Sequence, residues 1–210
     1  MTGQGEEVRV VPANQATWDD LATIFEAVKR HGSPCYCQRL KIRDRDWNAI
    51  GAEERAHQLR VQTGCGERDE GSTSGLVAYV GNEPVGWCAI EPRFEYPQLR
   101  TNRIVWAQRD ENKDDRDVWA LTCIIIRRGY RRTGLTYPMV IAAVTHAKAS
   151  GARAIEAYPM VTTPDTEIMW GELHVGPLGP FIAAGFRELT QPSTRRRVVR
   201  IDLEPTEHQS

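Results

Sequence analysis

With 210 residues, 40% hydrophobic and 26% charged, the chain is long enough to bury a core and too apolar for wholesale disorder. Its formal net charge of −1 gives no global electrostatic case for nucleic acid or an anionic membrane as partner. The apolar runs fall short of the ~20 residues that span a bilayer, and the polar start Met1 to Glu7 has no signal-peptide core, so a cytoplasmic protein is expected. Four of the 27 basic residues are lysine and the other 23 arginine, whose forked guanidinium suits phosphate. The five cysteines are an odd number, and Cys88 and Cys123 sit in strand-like runs that read as reduced core.

Val8 to Val11 alternates and predicts a first strand. Thr17 with Asp20 three residues on reads as a capping box. Trp18, Leu21, Ile24, Phe25 and Val28 then recur at helical spacing, so a helix is expected over about 18–29, stopped by His31-Gly32-Ser33-Pro34. Residues 35–73 are irregular, with a possible helix over 52–61 and a mobile Gly/Ser/acid-rich loop over 64–75. Strands over 76–80 and 85–90 flank the turn Gly81 to Pro84 as a hairpin. Residues 100–117 end in a run of charges and read as a solvated loop. Val118 to Ile126 is the longest strand signal, apolar enough for burial on both faces. A helix over about 134–149, a strand over 154–158, a short helix over 177–184 and strands over 186–189 and 197–203 complete the order. Thr194 to Arg197 reads as a solvated basic turn, and His174 as a lone surface histidine.

The strongest chemical signal is a strand, a basic turn, a glycine and a helix. The turn is Arg127-Arg128-Gly129-Tyr130-Arg131-Arg132-Thr133-Gly134. A helix N-terminus presents unpaired N–H groups and partial positive charge. Glycine there lets an anion approach the backbone, and Pro138 in the first turn costs little. Neither GxxxxGK[ST] nor GxGxxG is present, so the turn suggests a phosphorylated cofactor of another kind, the alternative being a plain strand-to-helix connection with a surface arginine cluster.

Arg131, Gly134 and Thr136 resemble the three defining positions of the [RQ]xxGx[GA] loop of the GNAT superfamily of N-acetyltransferases. Thr122 to Ile126 upstream, Gly151-Ala152 downstream, and Phe181-Ile182-Ala183-Ala184-Gly185-Phe186, similar to a YxxxGF motif, extend the resemblance over about 8–30 and 75–203. Thr136 stands where glycine or alanine is usual, Arg128 where proline is common, and Phe181 where many members carry a tyrosine acid. The resemblance implies an α/β (α+β) fold: a central mixed, mostly antiparallel sheet with helices on both faces. One acetyltransferase domain would cover 1–205, with a substrate-side insertion over about 31–73 and a flexible tail over 206–210.

It also implies acetyl transfer from acetyl-CoA, as co-substrate and without a metal, directly to a primary amine, more readily a small molecule than a protein. The backbone N–H groups of Ile124 and Ile126 would align pantetheine, and Arg131, Arg132, Thr133, Gly134, Leu135 and Thr136 would hold the pyrophosphate. The ammonium must lose a proton before attack. Glu156, sharing a strand face with Tyr158, is the first candidate base, its carboxyl raised by partial burial; Glu91 is the second. Tyr36, Gln38 and Tyr158 are candidate acceptor contacts. His31, Cys35, Cys37 and Cys65 lack the spacing of a zinc knuckle. A monomer or homodimer is expected, with no nucleic-acid or membrane partner. The rival reading is a non-catalytic acyl-CoA-binding or regulatory module on the same fold.

Overall fold

The computed structural model describes residues 7–27, 34–67, 73–103, 105–162 and 174–203. The expected helix to residue 29 is seen to Glu26, the loop over 64–75 is described to 67 and from 73, and the tail over 206–210 lies outside the described residues. The chain runs β1 (Val8–Pro12), α1 (Trp18–Glu26), α2 (Ala52–Thr63), β2 (Gly75–Val80), β3 (Glu83–Pro92), α3 (Pro97–Thr101) and β4 (Val118–Ile126). It continues as α4 (Thr136–Ala149), β5 (Ala154–Ala157), α5 (Gly179–Ala183), β6 (Arg187–Thr190) and β7 (Val198–Asp202). The short α3 has no helical periodicity in sequence and was not anticipated.

Seven strands form one sheet in the order β1-β2-β3-β4-β5-β7-β6. Every neighbouring pair is antiparallel except β4 and β5, which are parallel. A parallel pair needs a crossover connection, and α4 supplies it. On one face, Leu21, Ile24 and Phe25 of α1 and Leu59 of α2 pack on Val77, Tyr79, Trp87 and Ile125. On the other, Met139, Val140, Ala143 and Ala147 of α4 pack with Leu76, Ala78, Cys88 and Ile124. Each such fully buried large aliphatic or aromatic side chain contributes about 1.5–3 kcal/mol. Gly86 sets how closely α4 approaches: a Cβ there would lie 3.0 Å from the Met139 sulfur.

Two irregularities place the site. Ala89 pairs with Cys123 and Ile90 with Leu121, so Thr122 is an extra residue in β4, a β-bulge. The β4–β5 pairing also ends at Leu121 and Ala157, while β4 continues to Ile126. Past the bulge, β4 and β5 no longer pair.

Candidate active site

The turn after β4 is built by backbone constraint. The Arg127 N–H bonds the Val85 carbonyl at 2.8 Å, closing the β3–β4 ladder. A single 3-10 turn follows at Arg128–Tyr130. Arg132 (φ 64°) and Gly134 (φ 85°) are left-handed, and α4 starts at Thr136 with no side chain capping its N-terminus. Alternating backbone hand before an uncapped helix start makes a concave nest of N–H groups at the positive end of the helix. A Cβ at Gly134 would meet nothing within 4 Å, so glycine is needed there for its φ and not for space. Leu135 is buried and anchors the turn, while Arg132, Thr133 and Gly134 are exposed. Thr133 Oγ1 donates to the Tyr130 carbonyl at 2.7 Å. Arg131 folds back, its Nε donating to the Ile126 carbonyl at 2.9 Å, which ties the turn to the strand end.

Along β4, the Arg127–Val85 bond fixes the alternation, so Ile124 and Ile126 direct their backbone polar groups away from β3. The Ile124 N–H expected to face pantetheine instead donates to the His174 carbonyl at 2.7 Å. The segment carrying His174 is held on its other side as well. The Met160 N–H bonds the Gly176 carbonyl at 3.1 Å, and the Leu178 N–H bonds the Met160 carbonyl at 2.8 Å. It then passes the start of α4, where a Cβ on Gly176 would lie 3.6 Å from the Thr136 methyl. Residues 174–178 thus run as a strap across the divergence of β4 and β5. No local spacing announces this pairing.

Beside the bulge lies a cavity of about 380 Å³. Thr122, Cys123 and Tyr158 form its floor; residues 35–40, Leu99, Val105, His174, Val175 and residues 192–198 contribute its walls. Of the three candidate acceptor contacts, Tyr158 lines it. Tyr36 and Gln38 do not. Tyr36 and Cys37 are both left-handed (φ 45° and 56°), which flips the chain so that Cys35, Cys37 and Arg39 face the cavity. The Tyr36 ring packs 5.0 Å from that of Phe25, and buried Gln38 donates to the Tyr36 carbonyl at 3.2 Å and to Gln62 at 2.9 Å. The basic 194–197 run is not simply a solvated turn either. Arg196 lines the cavity, with Nη1 on the Tyr158 carbonyl at 2.9 Å, and Arg197 pairs with Glu188 at 3.2 Å. Among the described residues no aspartate or glutamate lines this cavity.

The ionisable lining is tuned toward neutrality. Surrounding protein, then the charges of Arg196 and Arg39, push the His174 imidazole below its ordinary 6.5, so it is neutral at pH 7. The Cys35 thiol is pushed well up by its bond with Cys37 and by burial, and Cys37 by burial and by Cys123. Trp87 Nε1 donates to Cys37 Sγ at 3.0 Å. The Tyr158 phenol is raised by burial and by the charge of Glu156, so it keeps its proton.

Glu156 sits behind this wall, fully buried, rather than partly desolvated at an opening. Its Oε1 receives Arg93 Nη1 at 2.7 Å and Arg109 Nη2, with Arg200 Nη1 at 3.6 Å, and its Oε2 receives the Tyr158 hydroxyl at 3.2 Å. Glu111 joins through Arg109 at 3.0 Å and Arg200 at 2.9 Å. Burial pushes the Glu111 carboxyl up, but Arg109, Arg200 and Arg93 prevail and hold it below the usual range. Arg93 and Arg109 lie 4.7 and 4.4 Å from the centre of the Trp106 ring. The 100–117 segment is therefore not wholly solvated: Arg109 and Glu111 turn inward and fasten it to β5 and β7. Register partners Ala120, Glu156 and Arg200 bring the network together on the sheet face opposite Trp119, which packs edge-on to His146 of α4. Glu91 is partly buried and ion-paired with Lys41 near Tyr96 and Gln62; its surroundings raise its carboxyl, burial outweighing Lys41. Phe181 is fully buried, edge-on to Phe186 at 5.4 Å. The described residues hold no group of three His, Cys, Asp or Glu arranged for a metal, and His31 lies outside them. Among them no helix is long and apolar enough to cross a membrane.

The fold has solved counterparts. An N-acetyltransferase from Staphylococcus aureus Mu50 superposes with a TM-score of 0.52 at 11% identity, covering 94% of this chain and 99% of that one. A GNAT-family acetyltransferase from Streptococcus pneumoniae gives 0.51 at 16% identity, covering 94% and 100%. A Pyrococcus horikoshii OT3 protein gives 0.51 at 12% identity, covering 94% and 99%. At these identities the likeness is one of fold. No curated protein matches the sequence. The family model described as the acetyltransferase (GNAT) family matches residues 36–167, more than half the chain, and spans the hairpin, the bulged strand, the turn and α4. The chain therefore belongs to the GNAT family of acetyltransferases, and acetyl transfer is its chemistry.

Proposed function

We propose that the chain moves an acetyl group from acetyl-CoA directly to the primary amine of a small molecule seated in the 380 Å³ cavity. The observation that carries this is one strand with two ends of different use. β4 leads from the bulge, where the cavity begins, to the uncapped helix start and its nest of N–H groups. The nest at 131–136 fits a pyrophosphate, with Arg131 holding the turn's shape. Acetyl-CoA supplies the activated acetyl thioester. The bulge interrupts the ladder and makes backbone polar groups available to polarise an acyl carbonyl. Neutral His174 takes the proton of the incoming ammonium at the cavity, the freed nitrogen lone pair attacks the acyl carbon, and the C–S bond breaks, CoA leaving as a thiolate that takes up the second proton shed by the amide nitrogen. Glu156, held by arginines, positions Tyr158 in the cavity floor rather than acting as the base. Binding along β4 requires the His174 carbonyl to release the Ile124 N–H. The Met160 bonds to Gly176 and Leu178 allow this as a local peptide shift.

The test pairs thermal denaturation with release of free thiol. Acetyl-CoA alone raises the melting temperature, and adding an acceptor amine releases CoA. Stabilisation with no thiol release across a broad amine panel removes the catalytic reading, and no stabilisation removes the acetyl-CoA reading. The pH profile tests the base. kcat/KM should rise with pH through a midpoint below 6.5, because only neutral imidazole accepts a proton and its pKa is lowered. His174→Gln flattens that limb. A limb that survives His174→Gln and vanishes in Glu91→Gln assigns the base to Glu91 instead.

A further inference from the structure

We propose that residues 174–178 are a latch between the two halves of the site. Closed, they keep the thioester arm of acetyl-CoA off β4; binding of the arm opens them and, in the same movement, repositions the His174 imidazole at the acceptor cavity. The proposal rests on the acetyl-transfer reading, with the arm lying along β4. The Ile124 N–H is a single donor, and the His174 carbonyl holds it at 2.7 Å. An arm carbonyl aligned on that N–H and a closed strap therefore exclude each other. The strap also stands across the route. The cavity floor is at Thr122, Cys123 and Tyr158, and the nest begins past the end of β4. Between them β4 and β5 have parted after Leu121 and Ala157, and the strap crosses that gap as far as Thr136.

The strap is fastened unequally. At its far end the Gly176 carbonyl takes the Met160 N–H, the Leu178 N–H bonds the Met160 carbonyl, and Pro177 bridges to Met160, so 176–178 continue the sheet beyond β5. Gly176 is left-handed there (φ 93°), a conformation glycine adopts without strain. At the near end, among the described residues, one backbone bond joins the strap to β4. His174, which supplies it, is exposed, whereas Val175 is buried in the core beside the cavity. One bond at an exposed residue opens at low cost, while paired bonds at a buried turn persist. The segment thus has a fixed hinge at 176–178 and a weak catch at His174, with Val175 as the side chain that holds the catch down. His174 serves both halves of the site through different atoms: its carbonyl closes β4 and its imidazole lines the cavity. Displacing the carbonyl moves the imidazole, so the cofactor and acceptor sites are coupled, and the coupling is reciprocal.

Two ligands separate the latch from the nest: acetyl-CoA, and adenosine 3′-phosphate 5′-diphosphate, which is CoA without its pantetheine arm. In stopped-flow fluorescence the observed rate for acetyl-CoA should level off as concentration rises, limited by opening, while that of the fragment stays linear. Amide hydrogen exchange in the free protein should show Ile124, held by the catch, exchanging at least about tenfold faster than Ile125, whose N–H faces β3. The His174 ring resonances should shift with acetyl-CoA and stay in place with the fragment. Val175→Ala removes buried contacts of the strap. It should raise the acetyl-CoA plateau and Ile124 exchange about five- to tenfold and leave fragment binding unchanged. The wild-type comparison carries the test should Val175→Ala fail to fold. An acetyl-CoA rate as linear as the fragment's overturns the proposal, and so does Ile124 exchanging at the rate of Ile125. A plateau unmoved by Val175→Ala while Ile124 exchange rises makes the strap a bystander to binding, and a His174 ring unmoved by acetyl-CoA removes the coupling. Binding of the fragment with no binding of acetyl-CoA removes the acetyl-transfer reading, and Ile124 exchange then decides on its own whether the strap opens.

Discussion

The middle and the C-terminal end of β4 are built in opposite ways. Its C-terminal end runs without interruption into the turn and α4, so the phosphate nest is one contiguous stretch shaped by local backbone preferences. Its bulged middle opens on a cavity whose walls come from residues 35–40, 99–105, 158, 174–175 and 192–198. These segments are held together by a buried ionic network and a strap, both long-range in sequence. The nest should therefore respond to backbone changes at single positions, and the cavity to loss of distant tethers.

The largest expected effect tests the second half of that contrast. Glu156→Gln deprives fully buried Arg93 and nearly buried Arg109 of their shared carboxylate. Removing one partner of a buried pair costs about 3–5 kcal/mol, because an uncompensated charge stays behind. Denaturant unfolding should show a loss of that size. Acceptor KM should rise more than acetyl-CoA Kd, since the network ties the 93–112 segment and Tyr158 to the cavity side. A full-stability variant with lost turnover would instead return Glu156 to the role of base.

The next effect belongs to the nest. Gly134→Ala forces a side chain into a left-handed position, at about 1–2 kcal/mol. The turn relieves that strain by moving its N–H groups, so acetyl-CoA affinity should fall about tenfold in calorimetry with stability little changed. Unchanged affinity would mean that the nest does not hold the pyrophosphate.

The same contrast explains what could be read from sequence. The individual strands, the capping box at Thr17, the nest and α4 are local, and periodicity, caps and a glycine announce them. Tyr158 was accessible because alternation on a short strand puts it beside Glu156. The segment 35–40 was located, but its inward and outward faces were exchanged, because two successive left-handed non-glycine residues leave no mark in composition. Arg109, Glu111 and Arg196 lay in charged runs that look solvated. Their pairing across 47, 89 and 38 residues, with Glu156, Arg200 and the Tyr158 carbonyl, draws them inward. The strap bond from Ile124 to His174 likewise depends on tertiary placement.

The smallest expected effect asks whether a legible, local feature stays local in its consequences. Thr17 accepts from the Asp20 N–H at 3.2 Å, and the Asp20 carboxylate takes the Thr17 N–H at 3.0 Å, the Thr17 hydroxyl at 2.8 Å and the Tyr79 hydroxyl at 2.9 Å. Thr17→Ala removes the hydroxyl arm, which costs about 1 kcal/mol, or about 2–4 °C in a protein of this size. Burial opposes ionisation of Asp20, but the bonds from Thr17 and Tyr79 and the charge of Arg9 prevail and hold its carboxyl below 3.8. A depressed folded-state pKa contributes stability above the unfolded value and loses it as pH falls through the folded one. The gap between wild type and Thr17→Ala should therefore narrow in strong acid, measured by melting temperature from pH 7 downward. Acetyl-CoA and acceptor affinities should both be unchanged, because α1 reaches the cavity wall through the packing of Trp18 and Phe25 on Tyr36, which does not itself line the cavity. A rise in acceptor KM alone would show that this packing transmits strain to Cys37 and Arg39, and the acceptor side would then depend on one more distant tether than the network and the strap.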